Sequence, residues 1–340
     1  VLDGAGGVDT AYYANATAGV TVDLTISGPQ ATGGAGSDTL LNIENLTGSA
    51  FDDKLTGDGG ANLLSGGGGN DTLLGGGGDD TLRGGAGDDV LDGGAGYDFV
   101  DYNDAKSAVT VSLAVTGPQT TGGSGQDTLI GIEGLLGSTF ADVLTGDDGA
   151  NKLFGGNGND TLRGGAGDDT LDGGNGDNIL EGGDGFDTAD YSQTYYNLNV
   201  DLSQNAVFVI SSGRDTLSGI ERIVGGLGSD TMKAGATGVT LIGGMGHDSL
   251  YSGAGDDTLD GGDGNDTFYL SAGADKIIGG AGSDTLYFVA GATALNVDLT
   301  TLWTTGQYAS AGLSITEVEV LGAVTGGAMN DTVVVGEAYV

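Results

Sequence analysis

Residues 66–101 read GGGGNDTLL, GGGGDDTLR, GGAGDDVLD, GGAGYDFVD, four abutting blocks of nine residues. Every block carries Gly at its first, second and fourth places, Asp at its sixth and an aliphatic residue at its eighth. The acids are Asp71, Asp80, Asp89 and Asp98, and the aliphatics are Leu73, Leu82, Leu91 and Val100. Glycines in those places permit backbone angles with positive φ and let adjacent turns stack closely. A short strand follows, and only its middle residue can face inward because side chains alternate along a strand. One Leu per block makes no core alone, but stacking the blocks builds a continuous column, the logic of a solenoid. The same stacking puts an Asp at equal height in every layer. Bare carboxylates so arranged repel one another, so a cation is required between them. Carboxylate and carbonyl oxygens suit a hard cation with 6–8 oxygen ligands, Ca²⁺ more than Mg²⁺.

These blocks resemble the GGxGxDxUx repeat of the RTX, or haemolysin-type calcium-binding, proteins. The resemblance implies an all-β parallel β-roll in which two blocks make one coil, with Ca²⁺ between glycine-rich turns two blocks apart. It further implies ligands from the sixth-place Asp and from carbonyls of the first four places. In the first run the acids are Asp53, Asp71, Asp80, Asp89 and Asp98, with Asp38 in an isolated block before it. The carbonyls there belong to Gly66, Gly67, Gly68 and Gly69, to Gly75, Gly76, Gly77 and Gly78, to Gly84, Gly85, Ala86 and Gly87, and to Gly93, Gly94, Ala95 and Gly96. The second run supplies Asp142, Asp160, Asp169 and Asp187 after an isolated Asp127. Its carbonyls come from Gly155, Gly156, Asn157 and Gly158, from Gly164, Gly165, Ala166 and Gly167, and from Gly182, Gly183, Asp184 and Gly185. The third run supplies Asp230, Asp248, Asp257, Asp266, Asp275 and Asp284. Gly243, Gly244, Met245 and Gly246, then Gly261, Gly262, Asp263 and Gly264, then Gly279, Gly280, Ala281 and Gly282 provide its carbonyls.

Pairing turns two blocks apart predicts sites of unequal quality. Asp71 with Asp89, Asp80 with Asp98, and Asp169 with Asp187 retain both acids and full glycine turns. Asp53–Asp71, Asp142–Asp160, Asp230–Asp248, Asp248–Asp266 and Asp266–Asp284 also retain both acids. Asn62, Asn151 and Asn178 each remove one charge from their pairs. Val239 opposite Asp257 predicts an empty or water-filled position, and the turn before Asp275 lacks two glycines. Asp331 has no partner two blocks earlier.

Composition bounds the function. The 340 residues hold 48 acids, 9 bases, one His, no Cys and 73 Gly, for a formal charge of −39. Nucleic acid demands basic residues and is excluded, and an anionic membrane surface is disfavoured for the same reason. Such acidity opposes compaction. Yet 38% hydrophobic residues in fixed phase and only two Pro argue for a chain that folds once metal is bound. No run of apolar residues is long enough for a membrane-spanning helix, so no helical insertion is expected. The N-terminal VLDGAGGVDT lacks a basic or signal-like apolar stretch. It begins in mid-repeat, the expectation for a fragment of a longer chain.

A longer period encloses the nonapeptides. Gly28-Pro29-Gln30 recurs at an offset of 89 (117 − 28) as Gly117-Pro118-Gln119, and Ile43-Glu44 as Ile132-Glu133. Alternating segments VTVDL (20–24), VTVSL (109–113), LNVDL (198–202) and LNVDL (295–299) open four unequal copies, about 1–92, 93–181, 182–278 and 279–340. Period two marks half-buried strands. The inserts, each of the first two containing a lone block (33–41 and 122–130), are expected to be wider coils of one continuous solenoid.

Other features give no catalytic site. His247 occupies the fifth place of a calcium turn (GGMGHD) and reads as a solvent-facing turn residue. No G-x-S-x-G occurs, and carboxylate pairs are too common here to single out a glycosidase site. No Gly-rich turn ends in GK[ST] and no Glu closes an EF-hand loop. Asn-x-Thr triplets such as 70–72 fall inside calcium turns, where a glycan would obstruct stacking. Tyr12, Tyr13, Tyr102 and Tyr191 are expected to cap the wider coils, and Glu44, Glu133, Glu221 and Glu319 to point outward.

The sequence therefore leads to a non-enzymatic, calcium-binding extracellular scaffold, of surface-layer, adhesin or filament type, on a bacterial cell surface. Its expected partners are calcium, further copies of itself or a cell-surface component. Resemblance to the RTX family implies export unfolded through a type I channel. The alternative is a secretion and folding module of a secreted protease, lipase or toxin. At about 4.8 Å per coil, a chain of this length would form a rod about 90 Å long.

Overall fold

The computed structural model describes residues 1–204, 213–271, 273, 275–282 and 284–287, and beyond these the backbone of strands only. Asp331 and Glu319 lie outside the described residues. Every regular element among the described residues is a β-strand. The chain divides into two compact units, Val1–Gly185 and Phe186–Val340, and Asp169 and Asp187 fall in different ones.

In the first unit, successive strands alternate between two faces, as the nonapeptide block requires. One face runs through Thr10–Tyr12, Asn45–Thr47, Leu63–Gly68, Thr81–Ala86, Phe99–Asp101, Gly134–Leu136, Lys152–Phe154 and Thr170–Asp172. Pairing is parallel and in register at two blocks per coil, so Leu82 lies between Leu64 and Val100. On the other face Leu73 lies between Leu55 and Leu91. Leu46, Leu55, Leu64, Leu73, Leu82, Leu91 and Val100 are all fully buried, which makes them the predicted column. Outward strand positions such as Thr72 and Thr81 are half-buried.

The inserts widen the coil, and here the structure adds what the repeat pattern lacks. Val100 pairs with Leu135 and Leu91 with Leu129, far beyond the two-block spacing of the plain roll. The second face consequently breaks: Gln126–Ile130 is the last parallel strand of one sheet, and Thr110–Ser112 begins another that continues through Val143–Thr145, Thr161–Ala166 and Ile179–Asp184. The lone blocks are not plain roll turns. Gln30–Gly33 and Gly36–Asp38 form an antiparallel hairpin, and Gln119–Thr120 pairs antiparallel with Gln126–Ile130. The chain must reverse there to fill the wider loop. The Gln after each proline clamps that reversal. Gln30 accepts from Asp23 N–H and donates to Asp23 C=O, both at 2.9 Å. Gln119 does the same to Ser112, at 2.8 and 2.9 Å.

The second unit repeats the plan. Arg222–Val224, Thr240–Met245, Thr258–Asp263 and Lys276–Ile278 stack on one face, and Thr231–Lys233, Ser249–Tyr251, Thr267–Leu270 and Thr285–Phe288 on the other. Ile223, Leu241, Leu259 and Ile277 fill the first column, and Met232, Leu250, Phe268 and Leu286 the second. Outside the second face, Tyr251, Tyr269 and Tyr287 stack with ring centroids 4.3 and 5.2 Å apart.

Candidate metal centres

Each nonapeptide turn holds its Asp the same way. The main-chain N–H of one sixth-place residue donates to Oδ1 of the Asp one coil later. Asp71 N–H reaches Asp89 at 2.8 Å, Asp80 reaches Asp98 at 2.8 Å, Asp248 reaches Asp266 at 2.8 Å and Asp266 reaches Asp284 at 2.8 Å. Asp142 reaches Asp160 at 2.8 Å, and Asp257 reaches Asp275 at 3.1 Å. All these carboxylates are buried. The second oxygen tells the rest: Oδ2 of Asp71, Asp80, Asp89, Asp98, Asp248, Asp257 and Asp266 is buried and accepts no hydrogen bond among the described residues. A buried carboxylate oxygen with no donor is costly unless a cation stands beside it.

The glycines shape the place where that cation fits. Asp71 Oδ2 and the carbonyl oxygen of Gly84 converge over the α-carbon of Gly66, where a Cβ would lie 2.7 Å from that carbonyl. Asp248 with Gly261 C=O over Gly243, and Asp266 with Gly279 C=O over Gly261, repeat this convergence. First-place Gly is therefore needed for space. Second-place Gly is needed for conformation, with φ of 109°, 107°, 100° and 101° at Gly67, Gly76, Gly85 and Gly94. The third place is open, since a Cβ on Gly68 would meet nothing nearer than 3.9 Å. That explains why Ala86, Ala95, Asn157, Ala166, Asp184, Met245, Asp263 and Ala281 are accepted there. No group of three or more His, Asp or Glu side chains converges among the described residues. A bound cation must draw on facing carboxylates and main-chain carbonyls together, a donor set that fits Ca²⁺.

Several predicted residues are placed differently. Asp53 and Asp142 have both oxygens engaged by protein donors: Oδ1 accepts from Val20 N–H at 2.6 Å and from Val109 N–H at 2.7 Å respectively, and Oδ2 from Ser49 N–H and Ser138 N–H, each at 2.5 Å. Asp230 accepts from Leu198 and Gly226 N–H at 2.8 and 3.2 Å. Asp38, in the hairpin, accepts from Thr32 Oγ1 at 3.2 Å and Tyr13 Oη at 3.4 Å. Asp127 keeps its place on the ladder, its Oδ1 accepting from Asp89 N–H at 3.1 Å, but its Oδ2 already accepts from Thr121 Oγ1 at 3.2 Å beside Tyr102. In the third copy Tyr191 Oη donates to Asp215 at 2.8 Å. Tyr13, Tyr102 and Tyr191 are thus buried in the wide coils as expected, each against an insert Asp. Tyr12 is exposed.

The glutamates are not outward. Glu44, Glu133 and Glu221 are half-buried, and their Oε2 atoms accept from the N–H of Asp9, Asp98 and Asp187 at 2.9, 2.8 and 2.9 Å. Where the coil widens, the longer side chain spans the gap and continues the Asp ladder. The repeat pattern misses Asp9, whose Oδ2 is buried and lacks a hydrogen-bond partner among the described residues. Its turn, Gly4-Ala5-Gly6-Gly7, sets the glycines one place off the usual pattern. His247 is exposed, and its Nδ1 accepts from Asn265 N–H at 2.8 Å, a rung of an outer fifth-place ladder. Val239, buried and without a carboxylate, still donates its N–H to Asp257 at 2.9 Å.

With this geometry in view, the sequence matches the RTX calcium-binding nonapeptide repeat over 42–73, 65–100, 135–162, 154–189, 215–237, 224–259, 242–277 and 260–292. These segments cover more than half of the chain, which belongs to that family. Its repeats bind calcium at multiple sites. Among curated proteins none matches the chain. Among solved structures, the extracellular lipase LipA from Serratia marcescens is 24% identical over 54% of this chain and 38% of the lipase chain, with a TM-score of 0.22. The matched region is thus well under half of the lipase's length.

Burial raises the turn carboxyls well above their ordinary range, to about 7 at Asp71, about 6 at Asp80 and Asp89, about 8 at Asp248 and about 7 at Asp257. Facing acids add to the rise at Asp71, Asp80, Asp248 and Asp257. A carboxyl whose folded-state pKa exceeds its unfolded value stabilises the fold below the unfolded value, and that contribution is lost as pH rises through the folded one. The metal-free chain should therefore gain β circular dichroism as pH falls from about 8 to about 5, and calcium binding should weaken over the same interval because protons compete. A pH-independent spectrum in chelator would contradict this. In the turn itself, Gly66→Ala should raise the calcium midpoint by roughly tenfold through overpacking, while Gly68→Ala should leave it within about twofold, consistent with the open third place. Equal midpoints by calcium titration would count against the convergence over Gly66.

Proposed function

We propose that this chain is a calcium-gated extracellular scaffold that is unfolded in calcium-poor cytoplasm and folds on binding Ca²⁺ after export. The observation that carries this reading is the recurrence, among the described residues, of a buried Asp Oδ2 with no hydrogen-bond donor, at Asp71, Asp80, Asp89, Asp98, Asp248, Asp257 and Asp266. In this reading Asp71, Asp80, Asp89, Asp98, Asp160, Asp169, Asp187, Asp248, Asp257, Asp266, Asp275 and Asp284 supply carboxylates. Main-chain carbonyls of the glycine turns complete each sphere. Unpaired strand edges, wherever a roll ends, would favour stacking on a second copy or on a cell-surface component. No step of bond-making chemistry is assigned to the chain.

Calcium does the work of both adhesive and trigger. Each ion offsets facing carboxylates and clamps two turns, so binding free energy becomes folding free energy. Extracellular calcium modules operate at about 10⁻⁴ to 10⁻³ M, which matches the contrast between cytoplasm and exterior. Circular dichroism should show a disordered spectrum in chelator and a cooperative β transition on adding millimolar calcium. A full β spectrum in chelator at neutral pH would rule out the gating.

A further inference from the structure

The first narrow coil after each insert differs from those that follow, and the difference lies in what the turn donates. In the turn 57–62, Asn62 Oδ1 accepts from Asp58 N–H at 2.8 Å while its Nδ2 donates to the Glu44 carbonyl at 2.7 Å. In the turn 146–151, Asn151 does the same with Asp147 N–H at 2.8 Å and the Glu133 carbonyl at 3.3 Å. The amide nitrogen thus engages the carbonyl of the turn one coil earlier, where at an acidic rung a cation would be called for. On the opposite side of the same coils, Ser49 and Ser138 donate both main-chain N–H and hydroxyl to Asp53 and Asp142. No side-chain oxygen of Asp53, Asn62, Asp142 or Asn151 is left buried without a donor.

The backbone shows why. At the metal-type turns the second place is Gly with positive φ, as at Gly67 and Gly76, whereas Ser49, Asp58, Ser138 and Asp147 hold ordinary φ. That conformation aims the second-place N–H at the sixth-place side chain, as the bonds above record. Coil 225–242 follows suit in the second unit. Gly226 lacks positive φ there and donates to Asp230, and Val239 brings no carboxylate at all.

We propose that coils 48–65, 137–154 and 225–242 are metal-free seams, closed by protein hydrogen bonds alone, which divide the calcium array into separate runs. This rests on the calcium reading above and sharpens it: a second-place residue whose N–H donates to the sixth-place side chain, as at Ser49, Asp58, Ser138, Asp147 and Gly226, marks a turn that excludes the ion. Asp53, Asp142 and Asp230 then leave the ligand set despite their sixth-place position.

Crystals of the full chain soaked in terbium, read by anomalous scattering, test the assignment. Peaks are expected between Asp71 and Asp89 and between Asp248 and Asp266, with none bonded to Asn62, Asn151, Asp53 or Asp142. Asn62→Asp alone should add no peak at the 62–80 rung, whereas Asn62→Asp combined with Asp58→Gly should add one. Asn151→Asp with Asp147→Gly serves as a second, independent pair. A peak at Asn62→Asp alone would overturn the role of the second-place N–H. A terbium ion bonded to Asn62 Oδ1 or Asp53 in the parent chain, beside peaks at the Asp71 and Asp89 turn, would overturn the seams alone. Absence of ions at every acidic rung would overturn the calcium reading and the seams with it.

Discussion

The structure depends on one unresolved charge problem. A sixth-place Asp must enter the interior of the turn, because its Oδ1 is the acceptor for the main-chain N–H of the preceding coil. Doing so buries its second oxygen beside another acid one coil away. Hydrophobic burial cannot absorb that penalty: each block contributes one inward aliphatic, worth about 1.5–3 kcal/mol when fully buried, against the backbone ordering of a whole nonapeptide. A hard cation between the turns reverses the sign of the electrostatics and supplies the missing partner. Glycine placement follows from the same demand, since the first place must leave room for carboxylate and carbonyl to meet.

Much of this is legible in the residues. Fixed offsets of Gly, Asp and Leu carry strand direction, register and core together, because a parallel coil of two blocks is the only arrangement that satisfies all three at once. Leu64, Leu73, Leu82 and Leu91 sit in the column that their spacing predicts. The glutamates depart from their expected outward direction for a physical reason. Glu44 and Glu133 follow an inward aliphatic, and strand alternation alone would turn them outward. They sit instead in turns, where dihedral angles break the alternation and the extra methylene lets the carboxylate reach across the widened coil.

The inserts are the other place where pattern runs short. Lone consensus blocks at 33–41 and 122–130 resemble roll turns, yet an antiparallel hairpin precedes their return to parallel register at Leu40 and Leu129, because a coil so lengthened must reverse direction to close. Gln30 and Gln119 secure those reversals with paired side-chain bonds that mimic a strand partner. Nothing in the nonapeptide rule anticipates them. The distinction between an Asp that awaits an ion and one already satisfied, as Asp53 is by Ser49, likewise needs the direction of the second-place N–H. Residue type hints at it, and geometry decides it.

Amide hydrogen exchange of the full chain, in millimolar calcium and in chelator at neutral pH, tests the central claim most directly. The N–H groups of Asp71, Asp80 and Asp248 each donate to a carboxylate one coil away. They should exchange slowly with calcium and at unfolded rates without it. Equal, strong protection of these three amides in chelator would contradict the account.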